Sequence, residues 1–173
     1  MDFFEVVKNR YSYRKTLETS PLPIEDLKKI VQAGLDAPSG KNGQTTGFII
    51  ITNPEIIAKI HDIPGGNIAT TTAPAFIACH IAKEPVPIYQ GNSFDIEDCA
   101  AATQNILLAA TALGYNTVWV DGWLRSENRA EIIGELCGLE SDRIIRILIP
   151  VGKATASQRR PEKKGFDERV SIV

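Results

Sequence analysis

The sequence predicts one layered αβ domain, residues 1–173, built around a central sheet of at least four strands. Segments with the apolar spacing of a helix are interspersed along the chain with short β-branched runs, as expected for helices packed on a sheet. The 173 residues are 43% hydrophobic and 23% charged, which is enough to form a substantial core. No repeat, low-complexity segment or interdomain linker interrupts this pattern.

Two helices are predicted before the first strand. Asp2 and Glu5 have the spacing of a capping box, and the helix that they open reaches about Asn9. Pro23 suits the first turn of the second helix. The apolar residues of the two helices repeat with helical spacing: Phe3, Val6 and Val7 in the first, and Ile24, Leu27, Ile30, Val31 and Leu35 in the second.

The first two strands of the predicted sheet are GFIIIT at 47–52 and AFIACHI at 75–81. Asn53 and Pro54 open a helix between these strands, and the Gly-rich turn that begins at Pro64 ends its pattern.

The helix 95–113 is Ala- and Leu-rich and stops at Gly114. Its near-continuous apolarity predicts burial on several sides, either in the domain centre or at a subunit interface. Strands are predicted at 116–120 and 143–151, with a helix capped by Ser126 between them.

The tail, residues 153–169, has six basic and three acidic residues and only Phe166 as a large apolar side chain. Such a segment cannot bury itself, so it is either disordered or held against another surface. The closing VSIV could form an edge strand.

The overall charge of −2 excludes a global field that would attract nucleic acid or an anionic membrane. No stretch approaches the roughly 18 to 20 apolar residues of a membrane span, and the N-terminus is unlike a signal peptide, so the cytoplasm is expected. The three separated cysteines suit reduced thiols, and the two histidines have no metal-ligand spacing.

The segment RYSYRK at 10–15 places two arginines around a serine, just after a helix end. Arg10, Ser12 and Arg14 could give forked, charge-assisted hydrogen bonds to a phosphate monoester. An isolated motif of this kind more often solvates a surface or pairs with nearby acids.

The loop APSGKNGQ at 37–44 combines small residues with the hydrogen-bonding side chains of Ser39, Asn42 and Gln44. Gly40 and Gly43 are expected to allow positive φ and close approach to a flat ligand. Taken alone, the loop is a turn. Neither a P-loop nor a G-x-G-x-x-G motif occurs in the chain.

Together, R-x-S-x-R, A-P-S-x-x-N-x-Q, the helix and strand at 98–122, and LIPVGK at 148–153 resemble the FMN-dependent nitroreductase family. The four motifs occur in the family's order and cover essentially the whole chain. The resemblance implies an α+β, three-layer fold with a mostly antiparallel sheet and a C-terminal tail that extends onto the partner subunit of a homodimer.

The resemblance also implies a set of cofactor-binding residues. Arg10, Ser12 and Arg14 match the residues that hold the FMN phosphate and ribityl chain, with Tyr11 in a position that is often basic. Asp121 and Gly122 match the residues whose backbone N–H meets flavin N5. The loop that lies against the flavin, partly supplied by the second subunit, corresponds to Pro38, Ser39, Gly40, Asn42 and Gln44.

The resemblance does not single out which basic residue of the tail contacts the FMN phosphate. Arg160 and Lys163 are best placed, with Arg159 and Lys164 as adjacent alternatives. Two positions depart from the family's pattern. Gly165 stands where the family usually has a proline, and TTG at 45–47 stands where it often has Pro-Trp.

The implied activity is an FMN-dependent oxidoreductase that uses NADH or NADPH to reduce nitroaromatics, quinones or similar flat electrophiles by a ping-pong mechanism. No catalytic acid or base is required, because the flavin carries the redox chemistry. The alternatives are a non-enzymatic flavin carrier and a specialised relative with another electron acceptor. Trp123 is a candidate pocket wall, whereas Trp119 and Tyr115 suit core packing.

Overall fold

The computed structural model describes all 173 residues. Four strands form one antiparallel sheet in the order β1-β2-β4-β3. Their bounds are β1 Gly47–Ile51, β2 Ala75–Ala82, β3 Asn116–Thr117 and β4 Arg143–Gly152. The six helices are α1 Phe3–Asn9, α2 Ile24–Leu35, α3 Pro54–His61, α4 Ile68–Thr72, α5 Asp95–Ala112 and α6 Arg129–Leu136.

The two faces of the sheet bury two separate apolar clusters. Alternate residues of β2 point to opposite faces, so Phe76 and Ala78 belong to one cluster while Ile77 and Cys79 belong to the other. Side chains of α3, α4 and α6 cover the first face, and side chains of α2 and α5 cover the second. The result is the layered α+β architecture that the sequence predicts.

The helix bounds follow the local sequence signals closely. Asp2 and Glu5 form a complete capping box on α1, and Asn53 caps α3 through hydrogen bonds from Glu55 N and Ile56 N. Gly114 adopts a φ of 83° directly after α5, which is the left-handed conformation that ends many helices.

Three predicted details differ from the structure. The strand predicted at 116–120 is regular only at Asn116–Thr117, and its pairing resumes in the same register at Val120. The helix predicted to start after Ser126 begins at Arg129, because Glu127 and Asn128 adopt left-handed φ values of 57° and 53°. The VSIV end forms no strand.

Candidate functional site

A cavity of about 260 Å³ lies where the end of α1, the segment 10–14 and the tail meet. Five basic side chains and no carboxylate line it: Lys8, Arg10, Arg14, Arg160 and Lys163, together with Tyr11, Ser12 and Pro161. None of the five takes part in an ion pair. Such an uncompensated cluster of cations is suited to binding an anion.

The segment 10–14 is fixed against the sheet through Tyr13. Its backbone N–H donates to Thr117 O at 2.9 Å, next to a parallel bridge between Ser12 and Thr117. The Tyr13 side chain is fully buried, and its hydroxyl lies 2.9 Å from Thr16 O and 3.2 Å from Ala156 O. Because Tyr13 points inward, its neighbours Ser12 and Arg14 are available to the cavity.

The tail runs beside this segment in the same protomer. Gln158 accepts a hydrogen bond from Arg14 N and donates one to Ser12 O, at 2.8 and 2.9 Å. Arg160 then donates to Lys8 O and to Asn9 Oδ1, each at 3.1 Å. The tail is therefore held against another surface, which was one of the two alternatives left by its composition.

Among the basic residues of the tail, Arg160 and Lys163 line the cavity. Arg159 instead lies 3.9 Å from Glu162 on the surface, and Lys164 is not part of the lining. The geometry thus favours the pair predicted from spacing over the adjacent alternatives. Lys8 and Gln158 were missed, because neither belongs to the recognised motifs.

Tyr11 forms one wall of the cavity. The Arg160 guanidinium lies 4.9 Å from the centre of the Tyr11 ring, and the ring meets Tyr13 edge-on at 6.3 Å. Asn116 donates to the Tyr11 hydroxyl at 3.4 Å. An aromatic residue in this position supports the arginine through a cation–π contact.

The loop 37–44 is a strained surface turn. Lys41, Asn42 and Gln44 all have positive φ, between 50° and 55°, a conformation that costs a non-glycine residue about 1–2 kcal/mol. The prediction that Gly40 and Gly43 would supply the positive φ is wrong. Gly40 is instead required for space, because a Cβ there would lie 2.5 Å from the Phe94 ring.

Asp98 anchors this loop to α5. Its carboxylate, only 6% exposed, accepts hydrogen bonds from Gly40 N at 2.8 Å and from Thr45 Oγ1 at 3.3 Å. Arg143 donates to Thr45 O at 2.9 Å. Within the loop, Ser39 Oγ accepts from Gln44 N at 3.1 Å. The role of Asp98 was not predicted, because an acid in the first turn of a helix is common and does not indicate a contact with a distant loop.

The loop and the cationic cavity are separate within one chain. Pro38, Ser39 and Gln44 line a smaller cavity of about 120 Å³ between α2 and α5, and the two cavities share no lining residue. Neither cavity includes Asp121 or Gly122. The predicted residues therefore form three groups in the protomer. The first lines the cationic cavity, the second belongs to the loop 37–44, and the third is Asp121 with Gly122.

Asp121 immediately precedes a 3-10 turn, Gly122–Arg125, and Gly122 is the first residue of that turn. The Asp121 carboxylate accepts two hydrogen bonds from Arg125, at 2.6 and 2.9 Å, and one from Arg146 at 2.5 Å. A Cβ at Gly122 would meet no atom within 4 Å, so the backbone there is open to a ligand. The side chain of Asp121 thus holds the turn, in which Leu124 N donates to Asp121 O at 2.9 Å, while Gly122 is exposed.

Burial tends to raise the pKa of Asp121, but the hydrogen bonds and charges of Arg125 and Arg146 outweigh it, and the pKa is lowered. A folded-state pKa below the unfolded value means that protonation favours unfolding, so this stabilisation is lost as the pH falls below about 4.

Asp121→Asn is accordingly expected to reduce the acid dependence of stability. The variant should lose less unfolding free energy than the wild type between neutral pH and about pH 3, because it has no carboxylate to protonate here. Urea titrations at several pH values measure this difference. Equal pH slopes for the two proteins would contradict it.

Trp123 has a structural role. Its Nε1 donates to Pro64 O at 3.0 Å, and the buried Arg129 lies 5.2 Å from its ring centre. Trp123 lines neither the cationic cavity nor the one beside the 37–44 loop. Tyr115 is also a packing residue, as expected: its hydroxyl donates to Asp26 at 2.7 Å, and burial together with that carboxylate raises its pKa to about 12.

No group of three or more His, Cys, Asp or Glu side chains is arranged to hold a metal ion. The cysteines are free thiols, two of them buried. None of the helices is both long enough and apolar enough to span a membrane.

Residues 7–153 match the model of the nitroreductase family. A Methanothermobacter thermautotrophicus protein named as an NADH dehydrogenase/NAD(P)H nitroreductase is 33% identical over 154 residues, which are 88% of this chain and 77% of the relative. The chain belongs to the nitroreductase family.

Solved structures show the same fold. A nitroreductase family protein of Clostridium difficile 630 aligns with a TM-score of 0.78 at 27% identity, covering 99% of this chain and 98% of that one. A nitroreductase of Bacteroides fragilis, solved with bound FMN, aligns with a TM-score of 0.80 at 20% identity and covers 100% and 99% of the two chains. The α+β prediction is confirmed.

Proposed function

We propose that the protein is an FMN-dependent oxidoreductase that takes reducing equivalents from NADH or NADPH and passes them to a flat electrophile such as a nitroaromatic or a quinone. The observation that carries this proposal is the cavity lined by five cations without a carboxylate. A relative named for NAD(P)H nitroreductase activity and a fold neighbour that binds FMN support the same function.

The residues present fit the phosphate of FMN. Arg10 is half-buried, and its side chain makes no hydrogen bond or ion pair within the protein, so its donors are available to a ligand. Arg14, from the same segment, and Arg160 and Lys163, from the tail, add positive charge to the cavity lining. Arginine and lysine donors would bind a phosphate dianion through charge-assisted hydrogen bonds, with Ser12 supplying a hydroxyl.

When bound, FMN would supply a ring that accepts a hydride and delivers electrons to the acceptor. The chain's contribution is position and electrostatics. A backbone N–H at Asp121 or Gly122 would donate a hydrogen bond to the N5 edge, where negative charge develops on reduction. Arg125 and Arg146 would keep that backbone in place through Asp121.

A homodimer would complete the site. The loop 37–44 lies apart from the cationic cavity of its own chain, and its exposed polar groups and strained backbone suit a contact with a ligand on a second copy. We propose that each flavin lies between the cationic cavity of one protomer and the loop 37–44 of its partner.

Visible spectroscopy tests the proposed function. Protein purified with added FMN should keep a flavin band after gel filtration, and anaerobic NADH or NADPH should bleach it. A quinone or nitroaromatic should then restore it. A bound flavin that dithionite bleaches but neither nucleotide does would instead indicate a flavin carrier. Failure to retain FMN at all would overturn the proposal.

A further inference from the structure

Gln158 links the tail to the segment that carries the arginines. Its carboxamide donates from Nε2 to Ser12 O at 2.9 Å and accepts at Oε1 from Arg14 N at 2.8 Å. The two bonded groups lie on either side of Tyr13, so one side chain takes the place of a neighbouring strand. Gln158 is half-buried, whereas every residue after it is exposed.

The segment 12–14 is thereby held from two sides. Tyr13 N–H donates to Thr117 O on the sheet side, and Gln158 holds Ser12 and Arg14 on the other side. A backbone with both edges paired cannot shift by one residue without breaking bonds at each edge. The position from which the Arg14 side chain leaves the backbone is therefore fixed.

The same contact fixes the register of the tail. Two residues after Gln158, the Arg160 guanidinium donates to Lys8 O at the end of α1 and to Asn9 Oδ1, and it lies over the Tyr11 ring. Just before Gln158, Lys15 Nζ donates to Ser157 O at 2.8 Å. These contacts lie within one protomer, so a single chain brings the tail cations to Arg10 and Arg14.

We propose that Gln158 is a positioning residue of the anion site: it holds Ser12 and Arg14 and sets the tail so that Arg14 and Arg160 converge on one phosphate group within a single protomer. The inference rests on the proposed function, because the phosphate in question is that of FMN. The hydrogen bond from Gln158 to Ser12 joins the N-terminal and C-terminal parts of one chain, 146 residues apart.

Gln158→Met tests this assignment, because methionine keeps the length of the side chain and removes both hydrogen bonds. FMN and riboflavin, which lacks the phosphate, are titrated in parallel. The variant should bind FMN about tenfold more weakly, because Arg14 and Arg160 would no longer be held in place for the phosphate and a charge-assisted contact would be weakened. Riboflavin affinity should change by less than about twofold. Gln32→Met, on the exposed face of α2, is the matched control.

A double-mutant cycle separates positioning from general loosening. Arg160→Ala should weaken FMN binding about tenfold in the wild type but by less than about twofold in the Gln158→Met background. Arg10→Ala should cost the same factor in both backgrounds, because Gln158 makes its hydrogen bonds to Ser12 and Arg14 and none to Arg10. Circular dichroism establishes that each variant is folded, and Gln158→Glu, which keeps only the acceptor, serves as a second variant.

Three results would overturn the inference: an unchanged FMN affinity in both Gln158 variants, an equal loss of FMN and riboflavin binding, or an Arg160→Ala cost that is the same in both backgrounds. A wild type that binds FMN no better than riboflavin would remove the proposed phosphate site itself. Failure of the positioning role of Gln158 and failure of the proposed phosphate site therefore give different results.

Discussion

Replacing Arg10 with alanine is expected to weaken FMN binding about tenfold to a hundredfold while leaving the fold intact. A hydrogen bond to a charged group is worth roughly 1.5–3 kcal/mol net, and the variant loses at least one such contact with the phosphate. The Arg10 side chain has no hydrogen-bond partner in the protein, so folding should not depend on it. Fluorescence titration with FMN measures the change.

Lys29→Ala provides a control for the Arg10 variant. Lys29 is exposed on α2 and takes part in no ion pair, so its removal changes the net charge equally without touching the cavity. Its FMN affinity should remain that of the wild type. If Arg10→Ala also binds FMN as tightly as the wild type, the phosphate is held elsewhere. A loss of riboflavin binding as large as that of FMN would likewise exclude a specific phosphate contact.

Local signals explain how much of the fold could be predicted from the sequence. The capping box at Asp2 and Glu5 and the cap at Asn53 act within three residues, and both form as predicted. The strands at 47–51 and 75–82 are likewise marked by their own β-branched residues. The short helix α4 was not predicted, because only Asn67 marks its start.

The start of α6 was not predicted correctly, because two residues with left-handed backbone precede it. Ser126 has the side chain of a cap, yet its Oγ accepts from the Arg129 guanidinium at 2.7 Å rather than from a backbone N–H of α6. The turn that contains Glu127 and Asn128 shifts the helix start by two residues. Arg129 lies buried there, which a local pattern cannot reveal because its contacts depend on Trp123.

Long-range contacts account for the parts of the candidate site that the sequence did not predict. The family pattern identified Arg10, Arg14 and Arg160, and the structure brings them to one cavity. The contacts that place them are made by Gln158 and, for the loop 37–44, by Asp98, which are 144 and 58 residues away from their partners. A polar side chain with a distant backbone partner carries no periodic or motif signal.

The α1 helix exposes an apolar surface in the single chain: Phe3 is 65% and Phe4 80% exposed, and their rings meet edge-on at 5.6 Å. Val6 is the buried apolar residue of this helix. Two adjacent aromatic rings left in water at the surface of a domain are typical of a protein–protein contact. We expect α1 to pack against a second copy.

Phe4→Glu should therefore dissociate the dimer. A buried aromatic anchor typically contributes at least about 2 kcal/mol to an interface, and a carboxylate in its place would be buried without a partner, so the dimer dissociation constant should rise at least about 30-fold. FMN affinity should fall as well, because each site would lose the loop 37–44 of the partner. Sedimentation velocity and FMN titration at the same protein concentration measure both effects.

Ile132→Glu is the matched control for this variant, since Ile132 is an apolar residue of α6 that is 41% exposed and lies far along the chain from α1. It should keep both the dimer and the flavin. Comparing the dimer dissociation constant with the FMN affinity shows whether flavin binding depends on the dimer. A Phe4→Glu protein that is monomeric yet binds FMN with wild-type affinity would show that one protomer holds the flavin alone. A Phe4→Glu protein that remains dimeric would place the interface on another surface.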